Sequence, residues 1–266
     1  MIRITKKLLS SKSKGEMILG FFDKFKKNEI KHEASDGLPP VSEKDMARIH
    51  GLLEDIKVKN YPLFEKIKDI TLYIMPLESD TNLISISEIV REMVSKLHYC
   101  IEAKNRLSII SKDFLESESY KKFMVGFADG FIFDELEKFS SFSDEQLKHH
   151  SLDIYSAYFC AYVLGLIDEL PQNSEKCDEE RLCSIITSFN NFSDIIDNCK
   201  LMSKEQVLYI SDYLSMECAY LVYKENANLL FDEKTKLYKR NLMICSYYVL
   251  SFDFESIMKK VYSANQ

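Results

Sequence analysis

Glycine, proline and tryptophan are scarce in this chain: 7, 5 and 0 in 266 residues. Average usage would supply roughly 19 glycines and 13 prolines at this length. Without such turn formers a meander of many short strands cannot be assembled, which excludes sandwiches, barrels and propellers. Long apolar runs are lacking too. The longest uncharged stretch, Ile154–Ile167, falls short of the roughly 18 apolar residues needed to span a bilayer. At the start of the chain, Leu8-Leu9 is followed at once by Ser10-Ser11-Lys12, so no secretory leader is expected. Neither a glycine-rich phosphate loop nor a Gly-x-Ser-x-Gly elbow occurs.

What remains is an apolar, charged, helix-forming sequence: 46% hydrophobic, 29% charged, with 17 Phe and 15 Tyr. The apolar share is too high for a disordered chain. Asp36-Gly37-Leu38-Pro39-Pro40 marks a boundary, because turn residues lead into two prolines that cannot continue a helix. It separates a basic lead, residues 1–38, from a helical domain, residues 39–266. Ser42 then caps a helix with Met46, Ile49, Leu52 and Leu53 on one face. A second helix runs from Pro62 to Pro76, and more are expected near 85–104, 117–140, 143–170, 179–199, 203–229 and 233–262. The fold class is therefore all-α, one domain of about seven to nine helices behind the basic segment. The loop Pro171–Lys176 suggests a subdivision near 171–177.

Three capping boxes, Ser85/Glu88, Ser143/Gln146 and Ser203/Gln206, begin 58 and 60 residues apart. In each, the serine and the acid or amide three places on satisfy one another's backbone donors. Each is followed by a cysteine at 100, 160 or 218, a spacing that suggests helical hairpins stacked side by side. The seven cysteines are odd in number, and most sit within apolar patterns. They read as reduced, buried thiols and place the protein in the cytoplasm.

Charge is uneven. Residues 1–31 hold nine basic groups against three acids, a net +6, so the other 235 residues carry −13 of the overall −7. An acidic body does not grip phosphates, so no nucleic acid is expected on the main domain. In the lead, Ile18, Phe21, Phe22 and Phe25 fall on one helical face, flanked by Lys24, Lys26 and Lys27. That combination suits peripheral contact with an anionic membrane.

Two constellations could carry chemistry. On the helix near 85–104, a wheel with Ile89, Val90, Met93, Leu97 and Cys100 inward puts Arg91 and His98 together on the outer face. This pair resembles the paired Arg and His of HEPN-type helical ribonucleases. The resemblance implies a dimer cleft in which the His moves a proton and the Arg steadies the phosphate. It covers two residues on one helix, and Glu92 stands where that family usually has a polar residue. The second constellation is Glu145, His149 and Asp153, at i, i+4 and i+8 with His150 adjacent, a strip with metal-ligand chemistry but no partner motif to complete a site. No cofactor is expected. The functional expectation is a non-enzymatic regulatory protein whose acidic helical surface binds a partner protein, with a helical ribonuclease or metal-dependent hydrolase as the alternative.

Overall fold

The computed structural model describes residues 42–58, 76, 78–128, 141–226 and 230–253. The lead segment, the Pro62–Pro76 stretch apart from Pro76 itself, and the chain end after Asp253 lie outside the described residues. The protein is all-α: no strand occurs among the described residues. In chain order the helices are α1 (Glu43–Val58), α2 (Ile86–Arg106), α3 (Lys112–Glu116), α4 (Glu118–Phe123), α5 (Asp144–His150), α6 (Asp153–Val163), α7 (Glu179–Ile186), α8 (Phe192–Asn198), α9 (Lys204–Asn226) and α10 (Glu233–Val249). A π-helical turn, Met124–Ala128, continues α4.

Most helices start where a short polar side chain seats itself on the free backbone donors of the first turn. Ser42 accepts from the Asp45 backbone N–H at 3.0 Å. The boxes at Ser85 and Ser143 form in full, and the third forms with Gln206 and Ser203 exchanging bonds of 2.9 and 3.3 Å. Asp178, Asn191 and Asp232 do the same for α7, α8 and α10.

The central element is α6. Its Ile154, Ala157, Tyr158, Phe159, Cys160, Ala161 and Val163 are all buried, each large side chain contributing on the order of 1.5–3 kcal/mol of apolar transfer. It lies against α2 on one side and α10 on the other; α9 covers α10, and α1 packs on α9. Helices α5, α7 and α8 lie against α2. One continuous core runs through all of this, including Phe159 before the Pro171–Lys176 loop and Leu182 after it.

Two of the expected helices are broken. The 143–170 stretch divides at Ser151-Leu152, where the Ser151 hydroxyl bonds the Lys148 carbonyl at 2.7 Å. It stops for good at Val163, because Gly165 adopts φ +66°. The Leu166 N–H then bonds the Ala161 carbonyl and the Gly165 N–H that of Tyr162, a Schellman closure. The chain after α8 returns to this end, with Lys200 N–H on the Leu164 carbonyl and Met202 N–H on that of Val163, both 2.9 Å. The 179–199 stretch divides at Thr187–Asn191, where Asn191 opens α8. Helices α9 and α10 pack on one another as a hairpin, and α10 in turn lies against α6. Gly126 sits in the π turn with no atom near the place of a Cβ.

Candidate functional site

Where α5 ends and α6 begins, three polar side chains lock together. The imidazole Nδ1 of His150 lies 2.8 Å from Asp153 Oδ2, and Lys96 Nζ of α2 donates to Asp153 Oδ1 at 3.1 Å. Asp153 is buried, while His150 and Lys96 are half-buried. The rings hold the imidazole in place, with Phe142 stacked on it at 5.1 Å and Tyr99 meeting it edge-on at 5.8 Å. Burial pulls the Lys96 ammonium down, but Asp153 and Glu92 beside it prevail and hold its pKa above the ordinary value. The same helix break that ends α5 puts Asp153 at the start of a new helix. The expected i, i+4, i+8 strip is thereby undone: Asp153 turns to His150, and Glu145 and His149 remain outward on α5. Burial lowers the His149 pKa, opposed by Asp153 and reinforced by His150, Lys96 and Arg240. Among the described residues no group of three or more His, Cys, Asp or Glu converges on a metal position. Chemically, the arrangement is an imidazole oriented by a carboxylate, which can relay a proton. It is equally a brace joining α2, α5 and α6.

The Arg91–His98 expectation needs correction in one respect. Arg91 is exposed, but His98 is 3% exposed and neither ring nitrogen has a hydrogen-bond partner among the described residues. The physical reason is that α5, α7 and α8 also lie against α2, covering the side that the wheel leaves to solvent. Burial depresses the His98 pKa against a small opposing pull from Glu102. The two residues therefore do not share an open face.

A second buried network joins α1 to α9. Arg48 is bonded through Nη1 to Asp212 Oδ2, and its Nη2 reaches Asp45 Oδ1 at 2.7 Å and the Pro76 carbonyl at 3.0 Å. Asp45 also accepts from the Glu78 backbone N–H at 3.1 Å. Asp212 has no exposure, and its Oδ1 has no hydrogen-bond partner among the described residues. Burial pushes its carboxyl up to about 7, against the pull of Arg48. Sequence reading missed this network. The available signal was an aspartate inside the helix expected near 203–229. Lys104, Glu179 and Cys100 form a third brace, between α2 and α7.

An open groove of about 560 Å³ lies elsewhere, lined by Gly165, Leu166, Arg181, Ile185, Phe189 and Asn198 among others. None of Arg91, His98, Glu145, His149, His150 or Asp153 lines it. The lead residues Ile18, Phe21, Phe22, Lys24, Phe25, Lys26 and Lys27 lie outside the described residues. None of the described helices is long and apolar enough to cross a membrane. No family model, no curated protein and no solved structure matches the chain.

Proposed function

We propose that the protein is a non-enzymatic interaction protein whose acidic helical surface binds a basic partner protein. One contrast carries this reading. The groups capable of chemistry (Lys96, Asp153, His150, Arg48, Asp212, Lys104 and Glu179) are interlocked across helix seams. The charge that faces water is surplus acid: with the buried Asp153 and Asp212 set aside, residues 141–226 hold thirteen acids against six bases, a net −7. Asp168, Glu169, Glu175 and Glu180 stand exposed around the connector from α6 to α7. Such a field steers a cationic partner and repels nucleic acid. In the same reading residues 1–31 contact an anionic membrane face, and the seven unpaired cysteines suit the cytoplasm.

The test is site-specific photo-crosslinking in cells from the flank position 172, in the natural chain and in a variant carrying Asp168→Asn, Glu169→Gln, Glu175→Gln and Glu180→Gln. Protein adducts that the neutralised variant loses, at unchanged helical content, are expected. Adducts equal in both, or adducts to RNA, would overturn the reading. For the lead, salt-sensitive sedimentation with phosphatidylserine vesicles should vanish when residues 1–31 are removed; unchanged sedimentation refutes that part.

A hydrolytic reading has one observation in its favour, the carboxylate-anchored imidazole of His150. It requires RNA or ester turnover that His150→Ala abolishes, or, in the ribonuclease form, that Arg91→Ala and His98→Ala abolish.

A further inference from the structure

The seam between α1 and α9 contains two carboxylates, Asp45 and Asp212, for one guanidinium, Arg48. Side-chain exposure is 15% at Arg48, 2% at Asp45 and none at Asp212. With both acids ionised the cluster carries one uncompensated negative charge in a nearly water-free seam, a costly arrangement. The orphaned atom is Asp212 Oδ1. A proton placed there removes the excess charge and leaves Oδ2 to accept the Arg48 bond, while Asp45 continues to balance the guanidinium.

We propose that α1 is a proton-dependent latch: seating α1 on α9 takes up a proton at Asp212, so the helix closes in mildly acidic solution and loosens as the pH rises.

Among the described residues, the other groups facing this acid do not supply the missing charge. From α10, the Tyr247 hydroxyl is 2.7 Å from the Ser215 hydroxyl of α9, and Ser246 bonds Ser211 at 2.9 Å. From the connector before α2, Glu78 has its carboxylate on Lys44 at 2.7 Å and its carbonyl on Lys204 at 2.7 Å. Burial holds the seated Asp212 at about 7, whereas an aspartate on an uncovered α9 face titrates at roughly 3.9. The sign follows from that difference. The closed state binds the proton more tightly, so closure is strongest below the open-state value and is lost as the pH rises through the closed-state value. Helix α1 is the natural element to move. Ile49 and Leu52 are its fully buried apolar anchors among the described side chains, whereas α6 is enclosed from two sides. The latch stands whether or not the acidic surface binds a protein.

The experiment is hydrogen exchange on the full chain, corrected for intrinsic rate, comparing the peptide 43–58 with the central peptide 153–163. Protection of 43–58 should fall roughly tenfold per unit from about pH 5 to about 6.5 and level off above about 7. Asp212→Asn should hold a constant protection over the same range, and 153–163 should not follow the pH in this way. A flat natural profile would overturn the latch, as would the same slope in Asp212→Asn, which would assign it to another group. Should the variant fail to fold, the ¹³C signal of the Asp212 carboxyl in the natural chain decides. Titration near neutrality supports the latch, and titration in the ordinary carboxylate range refutes it.

Discussion

Replacing Gly165 with alanine tests how α6 is terminated. The residue has φ +66°, a conformation that costs an L-residue about 1–2 kcal/mol. A Cβ at that position would lie 2.8 Å from the Lys200 carbonyl oxygen and 3.1 Å from the Lys200 Cβ. Lys200 cannot simply retreat, because its own N–H is bonded to the Leu164 carbonyl and the Met202 N–H to that of Val163. Loosening one of these adds about 1 kcal/mol. Alanine's lower unfolded-state entropy returns at most about 1 kcal/mol. The expected net loss is about 2 kcal/mol, so with a slope of about 3 kcal/mol/M the urea midpoint should fall by about 0.7 M. Gly51 supplies the control. It lies inside α1 with nothing within 4 Å of its would-be Cβ, so Gly51→Ala should be neutral or stabilising by up to about 1 kcal/mol. Urea unfolding followed by circular dichroism reads both. If Gly165→Ala unfolds at the same denaturant concentration as the natural chain, the closure of α6 by the Lys200 strand of backbone is not what the geometry says it is.

Two further outcomes follow from burial. His98→Leu removes two unpaired ring nitrogens from the core and should be neutral or stabilising by about 1 kcal/mol at neutral pH. Because burial lowers the His98 pKa, the unfolded chain binds the proton more readily, and stability drains away as the pH falls below roughly 6.5. That acid slope should be shallower in His98→Leu by chemical denaturation, and an unchanged slope refutes the assignment. Thiol labelling should reach Cys199 first, since it is half-buried while the other six cysteines are buried. Burial raises the pKa of Cys177 to about 12 and that of Cys218 to about 12, so their thiolates are rare at neutral pH. Early modification of Cys160 or Cys218, read by mass spectrometry, would contradict this packing.

Local signals carried the helix starts: the serines at 42, 85, 143 and 203 each sit where the sequence places a cap. The apolar spacing likewise placed Ile49, Leu52, Leu97 and Cys100 inside. Interior stops were harder to read. The Gly165 break hides within an apolar run, and Asn191 at the α8 start is overshadowed by the helical spacing around it. The site residues depended on which helices meet, and spacing along one helix cannot supply that. His98 is covered because three other helices lie on α2, and Asp153 pairs with His150 because of a two-residue turn. Asp212 was hidden for the opposite reason: an acid in an apolar helix makes sense only once Arg48, 164 residues away in sequence, is seen against it.

The seating of Ser42, Ser85, Ser117, Ser143, Asp178, Asn191, Ser203 and Asp232 on backbone no more than three residues ahead has a kinetic consequence. Where each of these eight rods begins is written into four consecutive residues, so a growing polypeptide can fix those starting points before distant parts have been synthesised. The slow step in acquiring this architecture is then the lateral assembly of preformed segments, and a change at one starting residue should delay a single segment while leaving the register of the others intact.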